Sequence, residues 1–204
     1  KSLIIFLIIS FLLSFLIVKN LDINFLLNTI LVTSAIFLFF VTLKEFLSKK
    51  MANLSQNLTH FGFSLLILSI LFNNIFSTEI ITNIKIGESF NSEHLKIKFE
   101  DINQTNEKNF KSIVGKFRIE NSRGETEYLN PELRIYNQPN IITSEADIKT
   151  TLLTDKFMTM NSVQNQEFFN IRYQVKPFML WIWISVLLMS FGGLISFFNK
   201  RYES

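Results

Sequence analysis

The residues able to do chemistry in this chain are few. It has two histidines and no cysteine. Without thiols it cannot carry out thiol–disulfide exchange, hold an iron–sulfur cluster or bind zinc through sulfur. No disulfide braces it, so any water-facing domain is held by packing alone. His60 lies in the run Asn57-Leu58-Thr59-His60-Phe61-Gly62-Phe63, at the head of a long apolar stretch. An ionisable side chain in a spanning helix is expensive to bury and usually has a task. No acidic residue stands in any apolar stretch, so a proton relay within the chain is unsupported. Two readings fit His60. It is an axial ligand to haem iron through a neutral imidazole, with Gly62 giving space and Phe63 a wall for a flat macrocycle. Alternatively it sits at headgroup level, bonded to water or a loop. His94, beside Glu93 at the head of an alternating segment, reads as a solvated surface histidine. The other carboxylates are scattered among lysines and suggest no acid–base pair. No phosphate loop, nucleophile elbow or metal-spaced cluster is present.

The elements that must position these residues are legible from four nearly charge-free stretches, 3–18, 23–43, 58–76 and 178–198. About 20 apolar residues span the roughly 30 Å hydrocarbon core. The expected fold class is therefore an integral membrane protein: an α-helical transmembrane bundle of four spanning helices, with an extracytoplasmic β-rich domain between helices three and four. The expected organisation is three helices in 1–76, the β-rich domain in 77–176, and a final helix with its tail in 177–204. The first stretch is short and the chain opens on Lys1, which predicts preceding sequence. A cleaved signal peptide fits that stretch less well, because no small-residue cleavage site follows Val18.

The net charge of +3 matters less than its placement. Acids and bases nearly cancel across 77–176, which gives no basic patch for nucleic acid. The surplus flanks the apolar stretches: Lys44, Lys49 and Lys50 in one loop, Lys200 and Arg201 in the tail. Positive residues mark the cytoplasmic side. Both clusters then lie inside, and the loop 19–24 and the large domain lie outside.

Within the second stretch, Asn24 and Asn28 share one stripe while Thr29 and Thr33 share its neighbour, so this face is expected to make interhelical hydrogen bonds. The fourth stretch is punctuated by Pro177 as its first helical residue, Trp181 and Trp183 at interfacial depth, and Gly192 and Gly193 for close helix approach. Lys200, Arg201 and Tyr202 anchor its inner end.

The region between reads mainly as strands. Leu95, Ile97 and Phe99 alternate with Lys96, Lys98 and Glu100, as Phe117 and Ile119 do with Lys116, Arg118 and Glu120. Asn121–Gly124 supplies a turn before 126–129. Leu133 and Ile135 follow the turn-former pair Asn130-Pro131, and Ile171, Tyr173 and Val175 run into the last helix. Thr143 or Ser144 is expected to cap a short helix through Leu153. The region suffices for a small β-sandwich or barrel.

From His60 onward the chain resembles the C-terminal portion of the CcmF family, the haem lyase component of cytochrome c maturation. Three segments carry the likeness: Thr59-His60-Phe61-Gly62-Phe63; Asn130-Pro131-Glu132-Leu133-Arg134-Ile135-Tyr136 with Thr143-Ser144-Glu145-Ala146-Asp147-Ile148; and Lys176-Pro177-Phe178-Met179-Leu180-Trp181-Ile182-Trp183 with Leu188-Met189-Ser190-Phe191-Gly192-Gly193-Leu194 and Arg201-Tyr202. The resemblance implies a multi-pass protein of the bacterial or mitochondrial inner membrane. Such proteins work with a haem carrier or chaperone and other maturation membrane proteins, and join haem covalently to the thiols of apocytochrome c on the outer face. It implies a b-type haem ligated by His60, with the second axial ligand expected upstream. The tryptophan-rich segment and outer-loop histidines that dock the substrate haem would also lie upstream, so this segment alone is not expected to be catalytic. His94 stands outside the matching motifs and takes no role. A paralogous lyase for specialised cytochromes has the same signature, and a non-catalytic assembly subunit is the rival of a different class.

Overall fold

A computed structural model describes residues 2–19, 21, 24–47, 54–93, 95–162 and 167–202, the last four of these by backbone alone. The chain divides into two compact units, Lys1–Phe76 with Phe178–Ser204, and Ser77–Pro177.

The first unit is helical: α1 (Ser2–Val18), α2 (Phe25–Leu47), α3 (Leu54–Phe76) and α4 (Met179–Tyr202). Each of α2, α3 and α4 holds a window long and apolar enough to cross a bilayer. The 23 residues of α3 rise about 34 Å, slightly more than the hydrocarbon thickness. These helices make the chain a multi-pass membrane protein. The fourth helix, α1, is apolar but has 17 residues.

In lipid the helices cannot associate by excluding water, so close packing and hydroxyl bonds hold them. Ser14 Oγ donates to the Thr29 carbonyl at 2.8 Å, joining α1 to α2. Thr42 Oγ1 and Ser64 Oγ share a hydrogen bond of 2.6 Å between α2 and α3. Ser55 Oγ donates to the Gly192 carbonyl at 2.7 Å, joining α3 to α4. The asparagine stripe departs from expectation. Asn28 Nδ2 donates to the Asn24 carbonyl of the preceding turn at 3.0 Å, because a local acceptor is within reach of its short side chain. The neighbouring threonine stripe turns inward, but its hydroxyls do not bond another helix either. Thr29 Oγ1 donates to the Phe25 carbonyl at 2.7 Å, and the buried Thr33 Oγ1 has no hydrogen-bond partner among the described residues. The two glycines of α4 also differ. A Cβ on Gly192 would collide with Thr59 and Ser55, whereas one on Gly193 would meet nothing within 4 Å.

Pro177 is not the first residue of α4. It ends a strand, paired across the ladder with Thr154. Phe178, at φ 61°, makes the turn, and its carbonyl accepts the Ile182 N–H at 3.2 Å.

The second unit is a two-sheet β-fold. Its strands are β1 (Thr78–Ile84), β2 (Ser89–Asn91), β3 (Leu95–Asn106), β4 (Phe110–Asn121), β5 (Thr126–Leu129), β6 (Glu132–Asn137), β7 (Asn140–Glu145), β8 (Asp147–Thr150), β9 (Thr154–Ser162) and β10 (Phe169–Pro177). One sheet has the order β1-β10-β9-β8, the other β2-β3-β4-β6-β7, with β5 also on β4. Every pairing is antiparallel. The long β4 pairs with β6 through its first half and β5 through its second.

The alternating residues of the sequence form the core: Ile97, Phe99, Phe117, Leu133, Ile171 and Tyr173 are all buried. Phe99 and Phe117, directly opposite in the ladder, stack with centroids 4.2 Å apart. The alternation breaks at a bulge between Phe99 and Asp101. The extra residue shifts the phase, so Ile102, packed against the core, rather than the exposed Asp101 follows Phe99 onto the inner face. Between the sheets, Glu127 receives Lys156 Nζ at 2.7 Å and also binds Tyr173. Burial first, then that carboxylate, pushes the Tyr173 hydroxyl pKa above its ordinary value. At Asn121–Gly124 the turn forms as its residue types require: Asn121 Oδ1 accepts the N–H groups of Arg123 and Glu125, and Gly124 adopts φ 79°.

The expected helix from Thr143 through Leu153 is absent. The segment is β7, a crossing at Ala146, and β8, with Leu152 and Leu153 in the turn that follows. Hydroxyls that could cap a helix serve the sandwich instead, for Ser144 Oγ donates to the Met160 carbonyl of the opposite sheet at 2.7 Å. Tertiary pairing overrides a local cap signal that carries only about 1 kcal/mol.

Candidate functional site

His60 lies six residues inside α3, about 9 Å along its axis from Leu54. Its side chain is exposed. The residues near it at helical spacing, Gln56, Phe63, Ile70 and Asn74, are exposed as well, with Ile67 half-buried among them. These positions recur at three- and four-residue intervals and form one open stripe down α3. The opposite side of α3 carries Gly62, Leu65 and Ser69, all buried, while Ser64, one turn on from His60, is buried against α2 at the edge of the stripe.

The geometry revises one expectation. Gly62 offers no room for a macrocycle, because α4 occupies it. A Cβ there would stand 3.0 Å from the Ser185 carbonyl oxygen and from Met189 Cγ. Gly62 is two residues from His60, about 200° round the helix. Its role is to bring α3 against α4 and so direct His60 outward. Phe63 does share the face of His60 and is 52% exposed.

An open stripe bearing an imidazole and two amides is ill suited to lipid alone, where unpaired polar groups are expensive. Its chemistry fits an iron ligand: an imidazole nitrogen donor flanked by an aromatic ring, with no competing carboxylate on the helix. Among the described residues no group of three His, Cys, Asp or Glu could hold a metal ion, and none supplies a second imidazole. His94 lies outside the described residues.

The second motif proves architectural. Glu132, Arg134 and Tyr136 share the outer face of β6. Glu132 accepts from Ser112 Oγ at 2.7 Å and from Arg134 Nη2 at 2.9 Å. The Arg134 guanidinium lies 5.2 Å from the Phe110 ring centroid, and Phe110 packs on Tyr136. The Asn130 N–H donates to Asp147 Oδ2 at 2.6 Å, which ties the start of this motif to its second part at the sheet crossing. Arg134 first, then the Ser112 hydroxyl, holds the Glu132 carboxyl below its ordinary value of 4.5. A depressed carboxylate stabilises the fold fully above the unfolded value, and that contribution fades as pH falls through the folded one. The urea midpoint of this domain should therefore drop below pH 4.5, and Glu132→Gln should blunt that drop.

A feature that sequence reasoning missed is a hollow of about 610 Å³ at one end of the second unit, walled by Ile102, Ile113, Leu133, Ile135 and Phe169. Of these five, the alternation marks only Leu133 and Ile135 as inward. The hollow draws its walls from strands far apart in the chain, which no local pattern signals.

A multi-pass membrane protein with a β-sandwich between its last two helices, and an outward histidine on the first of those two, is the class that this architecture defines. The sandwich matches the family described as CcmF C-terminal beta-sandwich over residues 75–177. The chain belongs to the CcmF family. It is 32% identical over 148 residues to the cytochrome c-type biogenesis protein CcmF of Haemophilus influenzae, covering 72% of this chain and 22% of that protein. Against the cytochrome c-type biogenesis protein NrfE of the same organism, identity is 24% over 173 residues, covering 84% of this chain and 27% of the relative. A solved structure titled cytochrome c heme lyase CcmF shares the fold with a TM-score of 0.69 over 95% of this chain and 33% of that one, at 16% identity. The chain thus spans about a fifth to a quarter of the length of these curated relatives.

Proposed function

We infer that the chain is the C-terminal module of a cytochrome c haem lyase, and that His60 is one axial ligand of a b-type haem. The observation that carries this reading is the outward face of α3, where His60 and Phe63 stand exposed in a segment too apolar to leave an imidazole in lipid. The second ligand belongs to another helix of the same protein. When bound, the haem would supply an electron to the iron of the substrate haem. The module itself positions and orients: α4 seats against Gly62 and so holds the His60 face toward its partner helix.

In this reading all four helices span the inner membrane. The domain 77–176 faces the outer side, beside apocytochrome c, the haem carrier and other maturation proteins, and the tail is cytoplasmic. The lysine clusters support that orientation. A lyase serving specialised cytochromes is the second reading, favoured by the long match to NrfE. It is distinguished by which apocytochrome the full-length protein loads.

The test is a reduced-minus-oxidised absorption spectrum of the full-length protein beside His60→Ala. Paired sharp b-type bands, lost or strongly reduced in the variant, support the ligand role. An unchanged spectrum in a folded variant removes His60 from the iron. Absence of haem from both proteins at normal expression favours a non-catalytic assembly subunit.

A further inference from the structure

The turn between β8 and β9 presents two leucines at its apex, Leu152 at 72% and Leu153 at 59% exposure. It is a built turn rather than a loose loop. The Thr151 N–H and Oγ1 both donate to the Thr154 carbonyl, at 2.9 and 2.8 Å, and the Thr154 N–H donates to Thr151 Oγ1 at 3.0 Å. Hairpin turns ordinarily carry Asn, Gly or Asp, which tolerate both water and tight backbone. Two adjacent leucines held rigidly outward are suited to an apolar partner.

The ladder register indicates that partner. Thr154, the first residue of β9, pairs with Pro177, the last of β10. One residue, Phe178, separates Pro177 from α4, and one residue, Ser77, separates α3 from β1. The start of β1 lies at the same end of the sheet, since Thr78 pairs with Val175. Both covalent links to spanning helices thus leave from the end that carries the leucine turn. Adjacent strands are about 4.8 Å apart, so the apex lies within a strand or two of the point where the chain passes into α4. In the ladder just behind the leucines, Asp155 pairs with Thr150 on one side and Lys176 on the other, and Lys156 pairs with Lys149 one residue further on. Three lysines thus stand about one carboxylate, and Lys176 lies 5.8 Å from the Phe157 ring centroid. Apolar tips backed by lysines are the pattern of segments that settle at a membrane surface, chains in the acyl boundary and ammonium groups among headgroups.

We propose that Leu152 and Leu153 insert into the bilayer surface as a second, non-covalent anchor of the β-sandwich. The anchor restrains the domain about its two single-residue links. This rests on the spanning character of α3 and α4 and is independent of any haem assignment.

The test places an environment-sensitive fluorophore on Leu152→Cys, in a single-cysteine version of the full-length protein reconstituted in phosphatidylcholine vesicles. A matching probe on Asn161→Cys, toward the far end of β9, serves as reference. The expected result is blue-shifted emission at Leu152 with strong quenching by nitroxide-labelled lipids, and neither at Asn161. Emission at Leu152 like that at Asn161 would show a solvated turn and overturn the proposal. A blue shift without lipid quenching would mean that protein covers the leucines, and would overturn it equally.

Discussion

Gly192→Leu should separate α3 from α4, while Gly193→Leu, one residue on, should leave the protein intact. The contrast follows from the space at the two positions. A Cβ on Gly192 would stand 2.9 Å from the Ser55 carbonyl oxygen and 3.0 Å from the Thr59 backbone nitrogen. Those are backbone atoms of a neighbouring helix, which cannot rotate aside as a side chain can. Relief requires the helices to part, which also breaks the hydrogen bond from Ser55 to the Gly192 carbonyl. Overpacking alone costs about 1–3 kcal/mol. Interhelical hydrogen bonds in membranes add about 0.6 kcal/mol on average. Because Gly62 closes the same contact against Ser185 and Met189, the double variant Gly62→Leu/Gly192→Leu should not assemble. At Gly193 the added side chain meets only open surface and removes a weak helix former, a change worth up to about 1 kcal/mol in favour of the helix. Thermal unfolding in detergent, followed by size-exclusion chromatography, reads the difference. Equal loss in the two single variants would sink the argument from packing.

Phe117→Ala should destabilise the β-sandwich by about 3–5 kcal/mol, the range for truncating a fully buried aromatic residue. Phe117 has no exposed surface, stacks on Phe99, and covers Gly115, where a Cβ would come 2.7 Å from its ring. Phe99 in turn meets Phe169 of the other sheet edge-on at 5.5 Å. Removing one ring therefore undoes a chain of contacts linking both sheets. Domains of this size have only about 5–15 kcal/mol in hand, and no disulfide supports this one. Urea titration of the intact protein, with the folded fraction read by proteolysis of the domain, should show a markedly lower midpoint. Exposed Tyr128→Ala, on the edge strand β5, should shift it much less.

Much of the protein follows from local pattern. Apolar stretches long enough to span a bilayer must become helices there, because hydrocarbon leaves the backbone no other partner. Period-two alternation placed Ile97, Phe99, Phe117, Leu133, Ile171 and Tyr173 inside, and the structure buries all of them. Asn121 and Gly124 specified their turn because only certain side chains and φ angles complete it. These are short-range constraints, satisfied within a few residues.

Other features needed the tertiary structure. The hydroxyls of Thr143 and Ser144 suit a helix cap or a strand equally, and only pairing with β6 and the bond to Met160 decide between them. Pro177 has φ values acceptable to both a helix start and a strand end, and its ladder partner Thr154 settles the matter. The bulge after Phe99 reverses the inward phase where the sequence sets two polar residues, Glu100 and Asp101, side by side, but only the ladder shows which of them is the extra one. Gly192 and Gly193 looked alike as points of close helix approach, yet one is filled by α3 and the other faces nothing within 4 Å. For the candidate site, residue type alone marked His60, since an imidazole in an apolar helix stands out. Which way it points depended on which face of α3 another helix covers. A sequence records what each residue can tolerate locally, while the direction of a side chain on a helix is set by long-range packing partners that its neighbours in sequence do not encode.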